Sequence, residues 1–442
     1  MLRIGSGAGF SGDRLDPAIE LAEKGDLHYL ILECLAERTI ALAQKRKKTN
    51  ELLGYDPLLE KRMRSLLPII KRKGVRIVTN MGAANPISGA QKIIDIAEEM
   101  GLSVKVAAVT GDNVLPYIYA NRKNLDFTPQ LNENASVISA NAYMGADSIV
   151  PALQTDADII ITGRVADPSL FLAPMVYHFG WSFDDMKLLG RGTVIGHLLE
   201  CGGQLTGGYF ADPGKKDVPN MANIGFPFAE IQSNGSAILT KLPNTGGALN
   251  LRTVKEQLLY EVMDPSQYVT PDVTADFTTV SICEAGIDRI KVTGGAGRIK
   301  PNLLKVSVGY EAGFLGEGEI TYAGENALGR AELAGEIIEE RLKGRFNEIK
   351  VDLIGVTSAH RGSFGHLGQP YEVRLRVAAK ANSMADAMIV GEEVEALYTN
   401  GPAGGGGARK YVQEVIGIVS TMVPRDSVDV NVVIKETAND EN

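Results

Sequence analysis

A chain of 442 residues, 44% hydrophobic and 22% charged, is long enough for two domains and too apolar to be disordered. Its net charge of −9 excludes the basic stripe that a nucleic-acid partner needs, though a few arginines can still hold a small anion. Three scattered cysteines, Cys34, Cys201 and Cys283, make no C-x-x-C pair, which argues against a disulfide framework or a zinc ribbon.

No apolar run approaches the roughly 20 residues of a membrane span. The opening Leu2-Arg3-Ile4-Gly5 has no apolar stretch behind a basic start, so no signal peptide is read there and the cytoplasm is expected. The same Leu2 to Gly5 reads as a short strand entering Gly5-Ser-Gly-Ala-Gly-Phe-Ser-Gly-Asp13. Within it Gly7, Gly9 and Gly12 satisfy G-x-G-x-x-G, and Glu33 follows Gly12 by 21 residues at the end of the strand His28–Glu33. That is dinucleotide spacing, which keeps NAD as a lesser alternative. Against it, Asp16-Pro17 starts the next helix, so Gly12 precedes the helix and does not pack within it. A loop shaped around another small ligand, with Asp13 and Glu33 beside it, fits better.

Helices over 36–48, 58–72 and 87–100 alternate with strands over 75–79 and 104–109, and this alternation continues through 138–141 and 146–153. Glu33, Asn80, Asp112, Asn141 and Thr162 each end a strand or follow one directly, and Asn85 closes the loop after Asn80. In a parallel sheet such ends line one crevice, where open α/β folds bind ligands. Asn and Asp are also ordinary turn residues, so the set weighs more than any member.

The strand Ile159–Ile161 stops at Thr162-Gly163 and delivers Arg164 and Asp167 into a loop ahead of a helix begun by Pro168. Arg164 suits a carboxylate or phosphate, with Asp167 orienting it. Farther on, His197, Glu200 and Cys201 are spaced i, i+3 and i+4, so a helix gathers them on one face. His197 is the acid/base candidate, tuned by Glu200. Cys201, before Gly202-Gly203, reads as a small buried residue and not as a nucleophile. A divalent metal has only the beginnings of a ligand set in His197 and Glu200.

Beyond residue 240 the character changes. Strands over 303–309, 349–357, 371–378 and 428–434, with helices over 324–343 and 383–398, give the order β-α-β-β-α-β of a ferredoxin-like split unit. Turns are expected at Arg361–Ser363 and Gly368–Pro370. The run Thr399-Asn-Gly-Pro-Ala-Gly-Gly-Gly-Gly-Ala-Arg409 permits close backbone approach, with Arg409 placed to hold an anion. The expected architecture is an α/β domain over 1–240 with a largely parallel sheet, then an α+β domain over 241–442.

Several segments together resemble the acyclic terpene utilisation family, AtuA. They are Gly5–Asp13, Leu32-Glu-Cys-Leu-Ala-Glu37, Ile161–Pro168, Gly196–Gly203, Gly207-Gly-Tyr-Phe-Ala-Asp-Pro213 and Thr399–Gly407. The resemblance implies a role in the breakdown of acyclic terpenes such as citronellol and geraniol, by a route of branched acyl-CoA esters, and a ferredoxin-like C-terminal part. It carries over no catalytic residues. With the site read above, it leads to a lyase (a hydratase/dehydratase or a carbon–carbon lyase) acting on a branched acid or its CoA thioester. The alternative is a non-catalytic ligand-binding subunit. The partners expected are the small-molecule substrate, and either a second copy of the chain or a small partner subunit.

Overall fold

The structure is a computed structural model describing residues 1–360 and 370–438; its N-terminal half alternates strands and helices. In order these are β1 (Leu2–Ala8), α1 (Asp16–Lys24), β2 (Tyr29–Leu32), α2 (Glu37–Thr49), α3 (Leu59–Lys73), β3 (Arg76–Thr79), α4 (Pro86–Glu99) and β4 (Lys105–Thr110). There follow α5 (Leu115–Asn121), β5 (Val137–Ala142), α6 (Ala146–Leu153), β6 (Ile159–Thr162), α7 (Asp167–Phe179) and α8 (Met186–Glu200). The helix ends carry their own signals. Asn85 and Asp185 accept from the first-turn amides of Ser88 and Leu188, Pro168 sits in the first turn of α7, and Gly74 and Gly180 close α3 and α7 in the left-handed conformation.

β1, β2, β3, β6 and β4 pair in that order, all parallel. β2 and β6 are buried along their whole length, as strands covered on both faces must be. Alternate residues feed two cores. Ile31, Val78 and Ile160 pack with α6, α7 and α8, whereas Leu32, Ile77 and Ile161 pack with α1, α3 and α4.

The sheet then turns antiparallel beyond β1, where β7 (Pro227–Ile231) pairs with β1 and β8 (Ala237–Lys241) with β7. A boundary at residue 240 therefore falls inside β8, whose ladder continues in both directions. After α9 (Leu251–Leu259), β9 (Tyr268–Val269) and β10 (Thr274–Asp276) come β11 (Ser281–Gly286), β12 (Arg289–Thr293) and β13 (Ala296–Arg298). β12 joins β8 and β11 joins β12, while β13, β10 and β9 form a small separate sheet.

The last third holds β14 (Leu303–Ala323), α10 (Ala327–Leu342), β15 (Ile349–Ile354), β16 (Glu372–Ala381), α11 (Met384–Asn400), β17 (Gly406–Pro424) and β18 (Asn431–Glu436). Two compact units result. One comprises Met1–Glu133, Val137–Gly309 and Ile418–Asn442; the other comprises Asn134–Ser136 and Tyr310–Gly417. The second unit is α+β. Its strands run β15-β16-β14-β17, with β16 antiparallel to both β14 and β15, and Ile320, Leu375 and Val377 pack against Ala331, Ile338, Val390 and Val394 of α10 and α11.

Three expectations are corrected. The strand expected at 428–434 is β18, and it pairs antiparallel with β4 in the first sheet. The strand closing the second unit is β17, which takes in the end of the glycine run and Arg409. β5 stands outside the parallel row and pairs with β14, Tyr143 N donating to the Lys305 carbonyl at 2.9 Å. Of the turn residues expected between β15 and β16, Arg361–Ser363, Gly368 and Gln369 lie outside the described residues.

Candidate functional site

A cavity of about 780 Å³ opens in the first unit where the C-terminal ends of β1, β2 and β6 meet the end of α8. Glu33, Glu37, Arg164, Asp167, Glu200 and Cys201 line it, with Gly9, Asp13, Tyr143, Tyr209, Glu261 and Lys305 around them. This is the carboxyl edge of the parallel strands, where open α/β sheets place their ligand crevices.

Arg164 is the central cation, 2% exposed. Its guanidinium lies 4.1 Å from the centroid of the Tyr143 ring, and Nη2 is 3.3 Å from Asp167 Oδ1. Nη1 donates to the Leu35 carbonyl, and Nε is buried without a hydrogen-bond partner among the described residues. Burial alone would pull its pKa down. Asp167, Tyr143, Glu37 and Glu33 outweigh that and hold Arg164 firmly protonated. The loop bearing it is fixed from behind, because Asp112 Oδ2 accepts from Arg164 N at 2.9 Å and from Asn141 Nδ2 at 2.8 Å.

The acids divide by environment. Burial, with the nearby Asp167 charge, pushes Glu33 well above the ordinary carboxylate range, although its Oε1 accepts from Leu35 N at 3.0 Å and Asn80 Nδ2 at 2.9 Å. Burial likewise raises Asp167 against the pull of Arg164. Glu37, at the start of α2, is the opposite case. Burial opposes its charge, but Arg164, the Tyr143 hydroxyl that donates to it, and Lys305 lower it to about 2. Lys305 Nζ is 3.3 Å from Glu37 Oε1 and 4.7 Å from the Tyr143 ring.

At the end of α8, His197 and Glu200 meet as their spacing requires, Nδ1 to Oε1 at 2.9 Å. His197 is 1% exposed, and Nε2 lies 3.0 Å from the Gln257 carbonyl oxygen, with Tyr268 and Phe277 around the ring. Glu200 lines the cavity and His197 stands behind it. Burial raises Glu200 to about 7 despite the attraction of His197, and its Oε2 has no hydrogen-bond partner among the described residues. Burial and the neighbouring Glu200 push the Cys201 thiol up, away from a reactive thiolate.

The remaining expected residues divide in the same way. Gly9 and Asp13 line the cavity, Asp13 Oδ2 accepting from Gly9 N at 2.7 Å. Gly9 has another duty: a Cβ there would stand 2.3 Å from the Cys201 carbonyl carbon, so the close approach it permits is to the end of α8. Gly7 packs on Leu32 within β1, and Gly12 borders a neighbouring pocket. Asn80, Asn85, Asp112, Asn141 and Thr162 are not among the lining residues; Asn80, Asn85, Asp112 and Thr162 bond to backbone around them, and Asn141 donates to the Asp112 carboxylate. Arg409 lies exposed on β17 of the second unit.

Glu37, Tyr143, Glu261 and Lys305 were not singled out by the sequence. Only Glu37 had a local signal, as an acid in the first turn of a helix that follows a strand end. Among the described residues no group of three or more His, Cys, Asp or Glu side chains is placed to hold a metal ion, and no helix is long and apolar enough to cross a membrane.

A family model described as acyclic terpene utilisation family protein AtuA matches residues 2–434. No curated protein and no solved structure matches the chain.

Proposed function

We propose, from the premise that the chain belongs to the acyclic terpene utilisation family AtuA, that this cavity is the active site of a lyase. Its substrate would be a branched carboxylic acid or the CoA thioester of one, and its chemistry a hydration/dehydration or a carbon–carbon cleavage. One observation carries the reading: Glu200 faces the cavity with Oε2 unpartnered and is backed by His197 at 2.9 Å. A carboxyl raised to about 7 is poised to take a proton alpha to a carbonyl and return it to a leaving group.

In this reading Glu200 is the acid/base, and His197, enclosed and doubly hydrogen-bonded, is a positioning residue. Arg164, stacked on Tyr143, supplies the positive charge for a carboxylate or for the enolate oxygen that develops as the proton leaves. Glu33, held through Oε1 by Leu35 N and Asn80 Nδ2, lines the same cavity and adds a carboxyl group beside Arg164. Removing a charge placed as that of Arg164 is costs about 10²–10³ in rate.

The second unit is read as a ferredoxin-like β-α-β-β-α-β unit. The succession β14-α10-β15-β16-α11-β17 and the strand order β15-β16-β14-β17 support this.

The test is thermal stability of the full chain against branched acids, their CoA thioesters, NAD and divalent metals, followed by turnover assays on whatever binds. A ligand at about 100 times its dissociation constant adds close to 3 kcal/mol. Turnover of a stabilising acid or thioester, reduced about 10²-fold or more in Glu200→Gln, is the expected result. Binding without turnover would favour a ligand-binding subunit, and a response to NAD alone would favour an oxidoreductase.

A further inference from the structure

We infer that the first unit carries an anion subsite beside the cavity, taking a phosphate group on Lys61 and Arg62. The subsite is a second pocket of about 350 Å³. The amino ends of α1 and α3 both border it, through their N-cap residues Leu15 and Leu58; neither N-cap side chain can accept a first-turn amide, although Asp56 Oδ1 accepts from Leu58 N at 2.7 Å. Two helix N-termini thus meet at one place, each with an acid in its first turn, Asp16 and Glu60, so the cationic side chains carry the subsite.

The independent observation is Arg62. It is 2% exposed, its Nη2 donates to the carbonyls of Ser11 at 3.0 Å and Asp13 at 2.9 Å, and its Nε and Nη1 are buried with no hydrogen-bond partner among the described residues. A guanidinium with two unmatched donors on a pocket wall is suited to an oxyanion, which accepts in the same forked geometry. Lys61, one residue earlier on α3, is exposed and has no ion-pair partner among the described residues. The other charges on the wall are already matched. Arg14 is paired with Asp16 at 2.5 Å and also donates to the Ala222 carbonyl, and Asp13 accepts from Gly9 N at 2.7 Å.

Asp13 and Arg14 line both this pocket and the cavity, so a single extended ligand can occupy the two. Resting on the thioester reading above, the subsite selects an acyl group carried on a phosphorylated arm over the free acid.

Titration calorimetry with inorganic phosphate, coenzyme A and pantetheine tests this on the wild type, Lys61→Glu, Arg62→Met and Glu200→Gln. Saturable phosphate binding is expected, weakened about tenfold or more by Lys61→Glu, with coenzyme A held tighter than pantetheine by a similar factor. Because Arg62 also braces the Ser11–Asp13 loop, the exposed Lys61 is the deciding position if Arg62→Met fails to fold. Phosphate binding without preference for coenzyme A would support the subsite and assign it to a free phosphate compound. No saturable phosphate binding, or equal binding by Lys61→Glu, would overturn it. Glu200→Gln is expected to bind phosphate as the wild type does, so failure of the acid/base reading shows in turnover alone.

Discussion

Glu200 Oε1 lies 2.9 Å from His197 Nδ1, while Nε2 of the same ring lies 3.0 Å from the Gln257 carbonyl oxygen. A carbonyl only accepts, so Nε2 carries a hydrogen, and Nδ1 either accepts a Glu200 O–H or donates as imidazolium. The pair therefore holds a proton that is lost as pH rises.

That proton makes stability fall as pH rises. Glu200 titrates near 7 in the folded protein against an ordinary 4.5. Between those values the folded chain keeps a proton that the unfolded chain has lost. The stabilising contribution is complete below 4.5 and is lost as pH passes through 7. Glu200→Gln cannot ionise and imitates the protonated acid toward Nδ1. It should exceed the wild type in stability by roughly 3 kcal/mol at about pH 8 and show no advantage at about pH 4. Denaturant unfolding at the two pH values checks this, and an equal difference at both would remove the assignment.

His197 holds Glu200 down from where burial alone would put it, by charge and by hydrogen bond. In His197→Gln the midpoint of the Glu200-dependent limb of kcat/KM against pH should move to higher pH. A purely structural histidine would lower the yield of folded protein and leave that midpoint in place.

The parallel row was legible because a strand buried on both faces needs a continuous apolar run, and Tyr29–Leu32 and Ile159–Ile161 supply one each. Pairing partners were not. The apolar pattern of Val432–Ile434 marks a strand, yet nothing local says that it joins β4. The i, i+3 spacing of His197 and Glu200 was legible too, but their order toward the cavity was not. α8 is buried almost all round from Leu189 to Glu200, so it has no polar face to fix its rotation. Lys305 reaches Glu37 across 268 residues, a contact that no spacing rule encodes.

Arg164→Lys keeps the charge and loses both the planar face on Tyr143 and the fork shared by Asp167 and the Leu35 carbonyl. Glu37, Asp167 and Glu33 would then face a poorly placed ammonium in a buried setting. The expected cost is about 3 kcal/mol of stability, within the range for breaking a buried ion pair. Ligand binding should fall with it. A lysine variant that melts with the wild type and binds equally well would show that the charge alone suffices.

Gly9 and Gly12 lie in the same loop and should respond unequally to alanine. At Gly9 the new Cβ meets the Cys201 backbone, 2.3 Å from its carbonyl carbon and 2.6 Å from its oxygen, and a backbone at the end of a buried helix cannot swing aside. Relief requires β1 and α8 to separate, which also draws Glu200 away from the cavity wall. At Gly12 the nearest atom is 2.6 Å away, but it belongs to the ring of Phe10, an exposed side chain that can rotate clear. Gly9→Ala is expected to destabilise by about 2–3 kcal/mol, as overpacking against fixed structure does, and to lose activity; Gly12→Ala should stay within about 0.5 kcal/mol of the wild type. Thermal melts and turnover of the two variants side by side provide the check. Equal behaviour would mean that the approach of β1 to the end of α8 is looser than 2.3 Å implies.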